Sequence, residues 1–464
     1  MQRDLTSGSI SKALFLFAGP MILGNLLQQF YNITDTLIVG QFLGSDALAA
    51  VGSSFSLMTF LTSILLGLCM GSSVIFSTFF GAQKKDPLQS SFLASFLFVG
   101  LVAVLIEVLS LIFINPLLRL LQTPSYILED TRTYLQIIFY GIFFTFLYNF
   151  FASLLRSIGN SFIPLVFLGI STLVNIVLDL LFILQFQMGI AGAAWATIIA
   201  QGISAVGIIG YCLLKVPLIR LKRKHFHFSK TLFYSIVQYS LLTCVQQSIM
   251  NFGILLIQGL VNSFGVTVMA AFAAAVKIDS FAYMPVQDFG NAFSTFIAQN
   301  YGARQQNRIR QGIRTAVTAS ICFCIVVSIF VWLFADKLML MFVKPEDVEI
   351  ISTGVTYLRI ESACYWGIGC LFLLYGLYRG IGRPGISVWL TVISLGTRVL
   401  LAYCLAPNPS FGLLGIWWAI PIGWVLADFV GIFYYWKKRK NLFQNFSRPS
   451  EDASANRHID SVNL

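Results

Sequence analysis

Twelve apolar runs divide this chain, and each is long enough to cross the hydrocarbon core of a membrane as a helix. Only short loops separate them, so no room is left for a soluble domain. Charged residues make up 11% of the chain, against about 25% in soluble domains. We therefore predict an all-α integral membrane protein. The runs lie at about 12–38, 47–80, 89–114, 130–155, 162–185, 189–214, 231–259, 268–300, 312–335, 353–378, 385–406 and 413–436.

Basic residues indicate which side of the membrane each loop faces. With the N-terminus inside, 23 of the 30 lysines and arginines fall in inner loops and termini, and five fall on the outer side. The positive-inside rule then predicts that both termini are cytoplasmic. The net charge of +11 thus follows from membrane topology, with anionic lipid as a contact and no nucleic acid partner.

The second half of the chain repeats the first. Five short motifs recur in the same order, at a spacing that lengthens slightly toward the C-terminus. Six spans per half is an even number, so the halves share one orientation and a pseudo-twofold axis along the membrane normal. We predict two six-helix lobes, 1–214 and 231–436, joined by a cytoplasmic basic linker at 215–230 and followed by a cytoplasmic tail at 437–464. The matching positions are Gln28 and Gln246, Ala49 and Ala270, Gly81 and Gly302, Arg156 and Arg379, and Gly189 and Gly412.

A carboxylate sits in the middle of the fifth run. Asp179 follows Asn175 by four residues, so a helix places both on one face, and Thr197 and Gln201 repeat that spacing in the sixth run. Such an acid costs about 2.5–3.5 kcal/mol on insertion scales, and is tolerated where it faces a bundle interior or a water-filled cavity. We interpret Asp179 as an ion-carrying group.

The first run carries a polar stripe at helical spacing, formed by Gln28, Tyr31, Asn32 and Asp35. Asp35 is either part of an intramembrane site or a charge at the outer end of the helix. Pro20 removes a backbone hydrogen bond within the same run, which invites a kink that is either static or a hinge.

Other polar residues inside the runs are candidates for lining a cleft. Asn149 is favoured over its serine and threonine neighbours, which often bond to their own helix. Lys277, Arg398 and Glu361 are expected to form pairs between helices, with Glu361 near the outer end of its run. The full set of further cleft candidates is Asn149, Gln201, Gln247, Asn251 and Asp288.

The chain resembles the multidrug and toxic compound extrusion (MATE) transporters. The resemblance rests on GPMILGNLLQQFYNITDTLIVGQFLGSDALAAVG at 19–52, the GA-plus-basic loop after the second run, the RSIGN turn after the fourth, and their partners in the second half. It implies a V-shaped pair of lobes, drug export, and coupling to inward H+ or Na+. It also implies the plasma membrane of a prokaryote.

The resemblance also implies site residues. In similar MATE proteins an aspartate of the first helix, an Asn-x-x-x-Asp of span 5 and a threonine of span 6 form a cation pocket, and a proline of the first helix marks its bend. Here these are Asp35, Asn175, Asp179 and Thr197, a candidate Na+ site, with Pro20 as the hinge. The Vibrio-type pattern needs acids in spans 7 and 10, and span 7 has none, so we favour the N-lobe.

These features predict secondary active efflux of amphipathic or cationic compounds, exchanged for H+ or Na+, by alternating access in a monomer. No cofactor other than the coupling ion is expected. A flippase for a lipid-linked oligosaccharide or another amphipathic lipid is the alternative, although intramembrane acids outnumber the two intramembrane bases. A membrane-embedded enzyme is disfavoured because no aspartate-rich metal motif is found.

Overall fold

The structure is a computed structural model that describes residues 4–120, 123–219, 225, 229–408 and 411–442. In these residues it is built of helices, with no strand. Half of the basic linker, 220–224 and 226–228, and the tail from residue 443 lie outside the described residues, so their predicted placement is not addressed. The α-helices are α1 (Ile10–Leu43), α2 (Ser45–Gly81), α3 (Lys85–Ile112), α4 (Ile114–Leu120), α5 (Leu128–Phe139), α6 (Ile142–Ser157), α7 (Phe162–Leu180), α8 (Gly189–Lys215), α9 (Lys230–Asn262), α10 (Val266–Gly302), α11 (Gln306–Met339), α12 (Val348–Ala363), α13 (Tyr365–Gly380), α14 (Pro384–Leu405) and α15 (Gly412–Leu442).

Twelve membrane spans, as the sequence predicted, account for all of these α-helices except the short α4. Ten are single helices that are long and apolar enough to cross a membrane. The other two are bent pairs, α5 with α6 at 45° and α12 with α13 at 53°. The sequence predicted one span at 130–155 and one at 353–378, and it did not predict that each is bent.

The two halves repeat each other helix by helix. Helices α1 to α3 correspond to α9 to α11, the bent pair α5 and α6 to the bent pair α12 and α13, and α7 and α8 to α14 and α15. The breaks at Gly141 and Cys364 are separated by the same offset as the repeated glycines Gly189 and Gly412. The fold is therefore two like-oriented six-helix lobes, as predicted.

Aromatic rings fill the interior of each lobe. In the N-lobe, Phe150 packs against Phe76, Phe92 and Phe96 with ring centroids 5.5–6.0 Å apart. In the C-lobe, Trp417 of α15 stacks on Phe272 of α10 at 5.4 Å. Many large apolar side chains on the outer surfaces remain exposed, as expected for helices that face lipid.

The lobes meet where α1 begins and α15 ends, which we call the terminal end. There Gly67 and Gly71 of α2 leave no room for a Cβ against the backbone of α9. A Cβ built at Gly81 would clash with the carbonyl of Gln299, and one built at Gly302 would clash with the carbonyl of Thr78. In each case the carbonyl belongs to the residue three positions before the other glycine. This reciprocal contact is what a twofold axis between α2 and α10 produces.

Toward the opposite end of α2, α9 and α10, a Cβ built at Gly52, Gly259 or Gly265 meets nothing within 4 Å. On α10, Asp288 is buried against α1, whereas Lys277 is exposed. Eleven residues are about three turns, so both lie on one face of α10 about 16 Å apart along its axis. The gap between the lobes therefore opens away from the terminal end.

Candidate ion and substrate site

Two carboxylates from different helices meet inside the N-lobe. Asp35 of α1 and Asp179 of α7 lie within electrostatic reach of each other. Asp179 is fully buried and Asp35 is 9% exposed. Just after Asp179 the chain passes into a π-helical turn at Leu181–Gln185, a widened turn that is common at functional sites. Asp35 is thus part of an interior pair, and is not a charge at the outer end of its helix.

Hydroxyl groups surround the pair. Tyr31, one turn before Asp35, donates a hydrogen bond to Thr197 of α8 at 3.3 Å. Tyr134 of α5 is 3% exposed and lies within electrostatic reach of both acids. Sequence reasoning missed Tyr134, because a tyrosine in an apolar run carries no distinguishing signal except its match to Tyr357 in the repeat.

Several polar atoms of this pocket are buried without a hydrogen-bond partner in the described part of the chain. They are both amide atoms of Asn175, both carboxylate oxygens of Asp179 and one carboxylate oxygen of Asp35. Buried polar groups normally find partners, and leaving one without costs about 1–3 kcal/mol. A small cation or a proton suits such an oxygen-rich cage. Among described residues, no group of three or more His, Cys, Asp or Glu side chains could hold a metal ion.

The structure brings the four predicted ion-site residues together from three helices: Asp35 from α1, Asn175 and Asp179 from α7, and Thr197 from α8. Their role in ion coupling stays a prediction. Pro20 lies within α1, which continues as one helix from Ile10 to Leu43. Bending at Pro20 likewise stays a prediction.

The predicted cleft residues fall into separate groups. Gln28, Tyr31 and Asn32 are half-buried on α1 near the acid pair. The Thr145 hydroxyl bonds to Gln201 at 2.7 Å, and Asn149 donates to the Thr145 carbonyl at 2.8 Å.

The C-lobe cleft candidates lie on α9 and α10. On α9, Asn251 donates to the Gln247 carbonyl at 3.3 Å. Asp288 accepts a hydrogen bond from Asn25 of α1 at 2.8 Å, so it lies in the contact between the lobes.

The C-lobe holds a buried ionic cluster. The sequence predicted pairing of Glu361 and Arg398 but did not reveal the part played by Asp279. Asp279 of α10 accepts hydrogen bonds from Tyr365 at 2.5 Å and from Tyr357 at 3.4 Å. Glu361 is fully buried, and neither of its carboxylate oxygens has a partner in the described residues. The expectation that Glu361 lies near the outer end of span 10 was wrong, since it lies beside the bend between α12 and α13.

Of the expected inter-helix pairs, Arg398 lies within electrostatic reach of Asp279 and Glu361. Lys277 forms no salt bridge within the described residues. Glu107 of α3 accepts a hydrogen bond from the backbone N–H of Phe143 at 3.1 Å. It therefore satisfies a free amide at the start of α6, next to the bend in span 4.

The MatE family model matches the chain twice, over residues 20–181 and 243–404, which together exceed half of its length. The chain belongs to the MatE family. The two matches begin at residues 20 and 243, an offset equal to that between Gly189 and Gly412, so the repeat seen in sequence and structure is that of MatE. The family consists of membrane transporters of small molecules, and this protein is accordingly a multi-pass transporter and not an enzyme.

MatE relatives match the chain over nearly its full length. The probable multidrug resistance protein YpnP of Bacillus subtilis is 32% identical and covers 94% of this chain and 98% of its own. YoeA of the same organism, also described as a probable multidrug resistance protein, is 28% identical and covers 93% and 95%. A solved structure described as an outward-facing multidrug resistance MATE transporter superposes with a TM-score of 0.88 at 23% identity, over 96% and 98%.

Proposed function

We propose that this protein exports amphipathic, cationic organic compounds from a bacterial cell, in exchange for inward H+ or Na+. The observation that carries the proposal is the buried pair of Asp35 and Asp179, on which no basic side chain of the described residues acts. The multidrug resistance names of its relatives support the substrate class. The positive-inside rule supports a cytoplasmic terminal end.

The pair gives the coupling ion a place to act. Two close carboxylates in a poorly hydrated pocket cannot both stay ionised without cost, so the pocket takes up a proton, or a Na+ held by carboxylate, amide and hydroxyl oxygens. Uptake of a positive charge from outside draws on about 2.3 kcal/mol per 100 mV of membrane potential. Release of that charge inside leaves the pair ready for the next cycle.

Helix α1 connects this pocket to the contact between the lobes. Asp35 lies in the pocket, and Asn25, ten residues earlier on the same helix, binds Asp288 of the C-lobe. Loading or emptying the pocket changes the forces on α1. A shift or bend of α1, for which Pro20 is the predicted hinge, would then break or restore the bond to α10.

Closure at the terminal end supports alternating access. Gln299 of α10 bridges the lobes, because its amide donates to the Ser157 carbonyl at 2.7 Å and accepts from the Leu5 amide at 3.2 Å. Ser72 of α2 and Ser240 of α9 join at 2.9 Å. Export requires these contacts to open toward the cytoplasm when substrate enters and to reform when it leaves on the other side.

Amide side chains along the gap suit amphipathic substrates. Gln28, Asn32, Gln247 and Asn251 are half-buried and offer both donors and acceptors. Aromatic side chains on the same helices provide flat apolar surface and can hold a cation over a ring. Weak contacts of this kind favour breadth over selectivity.

Ethidium efflux from proteoliposomes tests the proposal. Wild type is compared with Asp35→Asn and Asp179→Asn under an imposed pH gradient and, separately, a Na+ gradient. Asp428→Asn is the matched control, because Asp428 is a buried C-lobe carboxylate with no partner in the described residues. We expect one gradient to drive efflux in wild type and control, and neither N-lobe variant to respond to it.

Two outcomes contradict the proposal. Normal efflux by both N-lobe variants at several pH values would remove the acid pair from the mechanism. Failure of the well-folded wild type under both gradients would favour the lipid-flippase alternative, which a fluorescent-lipid translocation assay then examines.

A further inference from the structure

The N-lobe pocket has a counterpart in the C-lobe. The two family matches begin at residues 20 and 243, and at this offset Arg398 of α14 is the repeat counterpart of Asn175 of α7. The same offset places Tyr357 of α12 where Tyr134 lies on α5. Both tyrosines are 3% exposed, and each lies within electrostatic reach of two buried carboxylates. The two pockets therefore occupy equivalent positions in their lobes.

The acids of the C-lobe pocket come from different positions. Ala402 and Ile420 stand where the N-lobe has Asp179 and Thr197, and both are buried apolar side chains. Two carboxylates nevertheless meet in the C-lobe, Asp279 from α10 and Glu361 from α12. Both lobes thus bury two acids near a tyrosine, although no acid of one lobe corresponds to an acid of the other.

The groups at the Asn175 position distinguish the two pockets. In the N-lobe this group is a neutral amide, fully buried and without a partner in the described residues. In the C-lobe it is the guanidinium of Arg398, which acts electrostatically on Asp279, Glu361 and Tyr357. The Nε atom of Arg398 is buried without a hydrogen-bond partner in the described residues, and the Arg398 Cβ lies 3.4 Å from a Cβ built at Gly423 of α15. Arg398 forms no salt bridge with either acid in the described part of the chain, so it acts on them as a neighbouring charge.

We infer that Arg398 is a fixed counter-ion that prevents the C-lobe pocket from binding the coupling ion, so that the ion passes through the N-lobe alone. This rests on the proposed function and deepens it. An arginine stays charged in proteins, so its positive charge cannot leave during a transport cycle. A second cation in the same poorly hydrated pocket would be repelled at close range.

The same charge lowers the cost of burying the C-lobe acids. Asp279 also accepts two tyrosine hydrogen bonds, whereas Glu361 has no hydrogen-bond partner in the described residues. Carboxylates taken out of water are costly unless they are paired or neutralised. Within the described residues the N-lobe pair has no such basic partner, and it must take its positive charge from solution. Replacing Arg398 by asparagine would give the C-lobe the N-lobe's composition at this position, two acids beside an amide.

Binding of ²²Na+ to purified protein at pH 8 tests this inference. The background is Asp35→Asn with Asp179→Asn, which removes the N-lobe acids, so the result does not depend on whether that pair couples transport. In this background we expect no saturable binding with Arg398 present. Adding Arg398→Asn should produce saturable binding, and adding Glu361→Gln as well should abolish it. Arg398→Lys, which keeps the charge, should bind no Na+.

Three results would overturn the inference. One is saturable Na+ binding by the double variant that retains Arg398, if Glu361→Gln abolishes that binding. Another is no binding by folded Arg398→Asn protein. The third applies if Arg398→Asn aggregates. We then expect Arg398→Asn with Glu361→Gln to be monodisperse, because the buried charge of Glu361 is gone. If both variants aggregate equally, Arg398 has a packing role and the inference is wrong.

Discussion

The N-lobe and the C-lobe share their helix order and the bend in the fourth span of each, yet they bury charge differently. The N-lobe pocket around Asp35 and Asp179 leaves its acids beside an amide. The C-lobe pocket around Asp279 and Glu361 places them near an arginine and two tyrosine hydroxyls. A duplicated fold can thus retain a pocket at the same position in both copies while the two copies surround their buried acids with different groups.

The largest effect is expected from giving the N-lobe the charge of the C-lobe. In Asn175→Arg, a fixed guanidinium would neutralise the Asp35 and Asp179 pair and exclude the coupling ion. A fixed positive charge in this poorly hydrated pocket repels a second cation, so gradient-driven ethidium efflux should fall by ~10-fold or more. Asn175→Leu, similar in size and uncharged, should retain more efflux. Equal efflux by both variants would contradict the importance of charge at this position.

Next in size is the reciprocal glycine contact between the lobes. Gly81→Ala or Gly302→Ala places a Cβ against a backbone carbonyl of the other lobe, so the terminal end cannot close fully. Overpacking of this kind costs about 1–3 kcal/mol. A cysteine introduced at Ser72, which lies in the contact between α2 and α9, should react faster with a thiol reagent in either variant than in the protein without the glycine substitution. The two substitutions should have equal effects. Gly52→Ala is the control, since nothing lies within 4 Å of its Cβ. Unequal effects would show that the closure is not symmetric.

A smaller effect is expected where the lobes differ, at the N-terminal segment. Arg308 of α11 donates hydrogen bonds to the carbonyls of Leu5, Ser7 and Gly8. Because these bonds are partly exposed to water, their net contribution is about 0.5–1.5 kcal/mol. Arg308→Ala should raise amide hydrogen exchange in residues 4–9 and the rate of proteolysis there. The exposed Arg310→Ala is the control, and unchanged exchange in Arg308→Ala would exclude this anchoring.

The smallest effect is expected at the bend of span 4. Glu107 accepts a hydrogen bond from the backbone N–H of Phe143. At the offset of Gly81 and Gly302, the matching C-lobe residue is Ser328, which has no carboxylate. Glu107→Gln keeps an acceptor but loses the charge, for a cost of about 0.5–1 kcal/mol. A slightly lower Tm for Glu107→Gln than for wild type or Ser328→Ala, measured by size-exclusion thermostability, is the expected result. An unchanged Tm would show that the charge of Glu107 does not stabilise this bend.

The sequence predicted the spans, the repeat and the set of Asp35, Asn175, Asp179 and Thr197. It could do so because apolar length and i,i+4 spacing are visible along one chain. It missed the contact of Asp279 with Tyr365 and the partner of Glu107, because these depend on how separate helices are rotated against each other. It also missed the bends at Gly141 and Cys364, since no proline marks either position.

The closure at the terminal end has a consequence for how such a transporter can diverge. Gly67, Gly71, Gly81 and Gly302 seal the lobes together through main chain, and main-chain atoms are the same whatever side chains line the gap beyond them. A lineage can therefore replace cleft residues such as Gln247 or Asn251, and with them its range of cargo, without making the closed membrane barrier leak. The seal between the lobes and the substrate selectivity of the cleft can therefore change independently in evolution.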